Sequence, residues 1–121
     1  MKQVYVRSWS DTFTTGDSGY IYSKRISPGK ILHVHNCFAY TPEAALNDVI
    51  HIGVVNGGEK TAVYIKQCLT QDLGFSALND FFVGEGDQVY GYFPQAADGE
   101  TIEIHLVGVL YSLDDWRKMT E

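Results

Sequence analysis

The chain has 121 residues, 45% of them apolar and 20% charged, with a mean hydropathy of −0.13, which excludes a disordered or low-complexity segment. Size scaling gives a folded surface of roughly 6,500 Å² against about 19,600 Å² unfolded, so the chain can bury a core without metal or disulfide staples. Fifteen acidic residues against nine basic ones leave a net charge of −6, which opposes binding to a nucleic-acid backbone.

Apolar residues recur with a period of two almost throughout, the signature of half-buried strands. Strands are expected over residues 3–7, 20–26, 30–39, 48–55, 61–69, 81–83, 88–93 and 101–111. In the first, Val4 and Val6 alternate with Tyr5 and Arg7. After the second, Ser27-Pro28-Gly29-Lys30 has the Pro and Gly placement of a type II turn. In the third, Leu32 and Val34 take the apolar face and His33 and His35 the opposite one. Residues 41–47 read as a short helical turn capped by Thr41 with Pro42 in its first position. Ile50, Ile52 and Val54 lead to Asn56-Gly57-Gly58-Glu59, a hairpin signal, and then to Val63 and Ile65. Residues 70–80 form a second irregular crossing. Ala97-Asp98-Gly99-Glu100 precedes the closing set Ile102, Ile104 and Leu106. The three turn sequences are expected to join neighbouring strands. About eight strands, with hairpins alternating with longer connections, imply an all-β, two-sheet antiparallel sandwich of jelly-roll-like path. It forms a single domain over 1–113, with residues 114–121 a C-terminal arm or short helix.

No membrane segment is expected: the longest stretch without Asp, Glu, Lys or Arg is residues 31–42, twelve residues against the ~20 of a membrane helix. The opening Met1-Lys2-Gln3-Val4-Tyr5-Val6-Arg7 has no apolar run of the secretory kind, and manufacture in a reducing compartment is expected. Cys37 and Cys68 permit one disulfide at most and match no zinc spacing, so both are read as free thiols. His35, two residues before Cys37 and on the same strand face, is the one group near enough to activate a thiol.

His33 and His35 form an H-x-H pair of the kind cupin barrels use for metal. Glu43 and His105 are placed poorly to complete such a set, and the pair lies on the parity opposite the aliphatic core. Solvated or interfacial imidazoles are therefore expected, with no metal and no cofactor. Asp80, Glu85, Asp87, Asp98, Glu100 and Glu103 are carboxylates in reach of glycosidase chemistry, yet most fall in turns, where acids are common anyway. With no nucleophile or phosphate-loop signature, no catalytic residues and no enzymatic activity are expected.

If the aliphatic parity marks the core, then Tyr5, Tyr20, Tyr22, Tyr64, Tyr90, Tyr92 and Tyr111 face outward. Outward tyrosines fit cross-strand pairing, a protein interface core or a sugar-stacking platform. Tyr64, Tyr90, Tyr92 and Tyr111, with Trp9 and Trp116 near the chain ends, are the candidate interface residues.

Four segments carry a resemblance: Lys30-Ile31-Leu32-His33-Val34-His35-Asn36, the residues 49–58, Phe82-Val83-Gly84-Glu85-Gly86-Asp87-Gln88-Val89-Tyr90, and the residues 102–111 ending Val107-Gly108-Val109-Leu110-Tyr111. With a Gly-Asp turn leading into a strand and a closing strand of alternating aliphatics, residues 30–111 resemble small β-sandwich virion proteins of tailed bacteriophages. That resemblance implies a structural part, either capsid decoration or a tail or neck accessory. Such a part is made in the host cytoplasm and resides in the virion. It would contact itself as a homo-oligomer and other virion proteins, with no nucleic acid and no membrane among its partners. A carbohydrate-binding module of a phage adhesin is the alternative, and a cupin-like metal protein a further one.

Overall fold

The computed structural model describes residues 2–14, 16, 18–41, 49–67, 75–76 and 80–120. Nine strands and one helix are formed by them: β1 Lys2–Thr12, β2 Tyr20–Tyr22, β3 Lys30–Tyr40, β4 Val49–Asn56, β5 Glu59–Gln67, β6 Phe75–Ser76, β7 Phe81–Val83, β8 Gln88–Tyr92, β9 Thr101–Ser112 and α1 Leu113–Thr120. One sheet runs β1-β9-β3, with the short β6 and β7 lying one after the other along the far edge of β3. The other runs β2-β8-β4-β5. Every pairing is antiparallel. The two sheets pack face to face in an all-β sandwich whose chain passes between them at most connections, the jelly-roll path.

The core is the aliphatic set that the period of two predicts for the central strands. Leu32, Val34, Ile50, Ile52, Val83, Val89, Ile102, Ile104 and Leu106 are fully or almost fully buried. β3 reaches this result through a bulge. Its register with β9 shifts between Val34 and Asn36, leaving His35 as the extra residue. The inward set is therefore Leu32 and Val34 before the bulge, and Cys37 and Ala39 after it. His35, expected on the same face as Cys37, is exposed while Cys37 is buried. Cys37 carries a free thiol, pushed up to about 12 by burial, and so is not activated by its neighbour. Cys68, Pro42, Glu43 and most of the two long connections, 41–47 and 70–80, lie outside the described residues.

The three turn sequences adopt the backbone their residues favour. Gly29, Gly57, Gly58 and Gly99 all have positive φ, and the Lys30 amide donates to the Ser27 carbonyl at 3.2 Å. Only Asn56-Gly57-Gly58-Glu59 joins neighbours, however, in the β4–β5 hairpin. The connections after β2 and after β8 carry the chain from one sheet to the other, which corrects the expectation for those two. Turn chemistry sets local φ and ψ, and what lies beyond the turn is decided by which sheet needs the next strand's apolar face.

The chain leaves alternation at Ser112, whose hydroxyl oxygen accepts the Asp115 amide at 3.2 Å and caps α1. Asp114 and Asp115 in the first turn and Arg117 and Lys118 in the last complement the helix dipole. The Leu113 amide donates to the Gly29 carbonyl at 2.9 Å, fixing the start of the helix beside the β2–β3 connection. Among the described residues no helix is long and apolar enough to cross a membrane.

Candidate functional site

The outer faces of the two sheets differ in chemistry, and strand register shows which residues each face holds. On β1, Val4 and Val6 stand opposite Val109 and Val107 of β9, whereas Arg7 and Trp9 stand opposite the core residues Leu106 and Ile104. The edge strand thus turns Tyr5 and Trp9 inward against the core and its valines outward. Val4 is 74% exposed, Val6 55% and Val107 43%. On β5, an edge strand of the other sheet, a register shift in β4–β5 sets Tyr64 opposite Ile52. Tyr64 packs against the core, while Val63 and Ile65 are exposed. The outward assignment of Tyr5 and Tyr64 is thereby corrected, as is the inward assignment of Val4, Val6, Val63 and Ile65. β1 and β5, one edge strand from each sheet, carry apolar side chains on both faces. At a sandwich rim a ring can cover the core while its polar tip stays wet.

The remaining candidates fall into two separate groups. Tyr90 and Tyr92 lie on the outer face of the β2-β8-β4-β5 sheet with Tyr20 and Tyr22, which pair with them across β2 and β8. The Tyr20 and Tyr92 rings are nearly parallel at 4.1 Å, Tyr20 meets Tyr90 edge-on at 5.6 Å, and His51 meets Tyr92 edge-on at 5.2 Å. Lys60 Nζ stands 4.7 Å over the Tyr20 ring. Tyr90 is almost fully covered, and burial, with Tyr20 and Tyr22 beside it, raises its phenol above the ordinary value.

Tyr111 and Trp116 belong to the opposite face of the molecule. Trp116 of α1 lies 5.8 Å from Tyr111 and 4.9 Å from Phe82, and Tyr111 is buried. These two residues hold the helix on its sheet. Trp9 lines a cleft of about 250 Å³ with Tyr5, Arg7, Lys24 and Arg25. Arg7 sits 5.0 Å from the Tyr5 ring centre. Burial raises the Tyr5 phenol, and Arg7 partly offsets this.

The histidine pair acquires a neighbour that neither Glu43 nor His105 supplies. Asp80 precedes β7, whose Phe82 and Phe81 pair with His33 and Val34, so the antiparallel register brings Asp80 level with His35. His33 Nε2 is 3.0 Å and His35 Nδ1 3.5 Å from Asp80 Oδ2. The His33 ring stacks on Phe82 at 4.4 Å and lies 4.1 Å from the His35 ring. Sequence reasoning missed Asp80 as a partner because only the β3–β7 pairing brings it near. The matching apolar strand 81–83 was the available signal. His105 is engaged elsewhere, with Glu103 at 2.9 Å and Ser8 at 2.7 Å.

No protein-family profile matches the chain, and no curated protein matches it. Among solved structures, one described as Bacillus endospore appendages forming a novel family of disulfide-linked pili has 19% identity and a TM-score of 0.47, with 93% of this chain and 88% of that one covered. The structure of infectious bursal disease virus Gx strain has 11% identity and a TM-score of 0.31, with 91% of this chain and 31% of that one covered. At these values neither likeness transfers a role to this chain.

Proposed function

We propose that this chain is a structural subunit that acts by protein–protein contact, through the outer face of the β1-β9-β3 sheet. One observation carries the reading: Val4 and Val6, 74% and 55% exposed, stand opposite Val109 and Val107 in a contiguous block of β-branched side chains on the outer face. Isolated exposed apolar residues are ordinary, but paired ones on adjoining strands form a patch whose burial is favourable. Phe82, 46% exposed beside Trp116, extends the apolar character of the same sheet.

Within that role, the resemblance of residues 30–111 to virion proteins of tailed bacteriophages supports a capsid-decoration or tail-accessory part that associates with itself. Carbohydrate stacking on the tyrosines is the weaker alternative. A sugar needs a free aromatic face, and Tyr20 already has Tyr92 against it and Lys60 over its ring.

Sedimentation across a concentration series, for the wild type and for a Val4→Ser, Val6→Ser double variant, tests the contact. Association of the wild type, lost in the variant at unchanged melting temperature, is expected. A wild type that stays monomeric and does not co-sediment with virus particles from the same source removes the proposal.

A further inference from the structure

We propose that His33, His35 and Asp80 form a site for a first-row divalent cation of the zinc class, with the remaining coordination positions open to solvent. The donor set comes first. Two imidazoles and one carboxylate suit zinc, cobalt, nickel or copper, whereas magnesium and calcium prefer all-oxygen shells. One donor atom from each residue can be chosen so that all three lie within 4.8 Å of one another. Around a tetrahedral ion with bonds of about 2.0–2.2 Å, neighbouring donors stand roughly 3.3 Å apart. The two distances to Asp80 Oδ2, 3.0 and 3.5 Å, bracket that value. Small side-chain rotations therefore close the set around an ion.

The arrangement is also held in place from below. His33 and His35 stand two apart on β3 and both point outward, and the bulge leaves His35 without a register partner on β9. His33 is mostly covered and stacked on Phe82, which is itself packed by Trp116 of α1. One ligand thus has little freedom to lose. His35 and Asp80 are about half exposed, leaving an approach for the ion. A net charge of −6 favours cation capture further. This is not the cupin arrangement, in which the histidines point into the barrel. The parity that removes the pair from the core is what lets Asp80 reach it.

Equilibrium dialysis of tag-free protein against zinc and, separately, magnesium, read by elemental analysis, tests the site. One zinc per chain at micromolar free metal is expected, with no magnesium retained. His35→Ala and Asp80→Asn should each weaken zinc binding by about tenfold or more, and His105→Ala should leave it unchanged. A second measurement uses the wild type alone: imidazole NMR signals of His33 and His35 should shift on zinc addition while those of His51 and His105 stay in place. Equal zinc uptake by the wild type and both site variants overturns the proposal, and so does zinc perturbation confined to the other two histidines.

Discussion

Gly53 lies beneath the ring of Tyr90. The two are register partners on β4 and β8, and a Cβ on Gly53 would stand 2.5 Å from Cε1 and Cζ of that ring, as well as against the Thr61 carbonyl oxygen. The aromatic ring takes the space that a side chain at residue 53 would fill, which is how Tyr90 comes to be buried on an outer face.

Gly53→Ala should therefore destabilise the fold by about 2–3 kcal/mol, as overpacking does, in urea denaturation followed by circular dichroism. Adding Tyr90→Ala should not restore wild-type stability, since the Thr61 backbone remains in the way. A neutral Gly53→Ala would mean that both the ring and the Thr61 carbonyl stand farther from residue 53 than this packing places them.

The edge strand β5 offers a direct contrast with its central neighbour β4. Ile52→Ala, at a fully buried position, should lose about 2–5 kcal/mol, whereas Ile65→Ala, 56% exposed, should stay within about 0.5 kcal/mol. Comparable losses at both positions would restore the inward assignment of Ile65.

Cys37 sets an alkaline limit. Its thiol is raised from 9.0 to about 12 by burial, so between those values the unfolded chain releases a proton that the folded chain keeps. Stability is then fully present below pH 9 and falls as pH rises toward 12, by up to about 1.4 kcal/mol per pH unit from this group. Unfolding free energies at stepped alkaline pH should decline less steeply in Cys37→Ala than in the wild type. At pH 8 the native protein should show the same rate of thiol modification with or without Cys37.

Trp116→Ala should detach α1 from its sheet, uncovering Tyr111 and exposing more of Phe82. A loss of about 2 kcal/mol is expected from the buried aromatic contacts, with the far-ultraviolet β signal retained. No change in either stability or tyrosine accessibility to a quencher would show that the helix is held by other contacts.

Strand positions were legible in the sequence because burial of one sheet face imposes a period of two that composition cannot disguise. The strand 81–83 matches its observed bounds, and 30–39, 88–93 and 101–111 differ from theirs by one residue. The end of alternation was legible at residue 114, one residue from the observed start of α1, but whether the segment is an arm or a helix was not. Face assignment was legible only where one parity is plainly polar, as in Ile102, Ile104 and Leu106 against Glu103 and His105. On β1 and β5, valine and isoleucine alternate with tyrosine or tryptophan, both parities are able to cover a core, and the choice passed to strand register. Register also depends on the bulge at His35 and the shift at Ile52, each set by the partner strand. For the same reason His33 and His35 could be named from spacing, but Asp80 could not. It lies 45 positions after His35, and only the antiparallel pairing of β3 with β7 closes that distance. Local sequence determined which residues extend and where the chain turns, through side-chain sterics and glycine's positive φ. Tertiary structure decided which faces meet water, because that depends on neighbours remote in the chain.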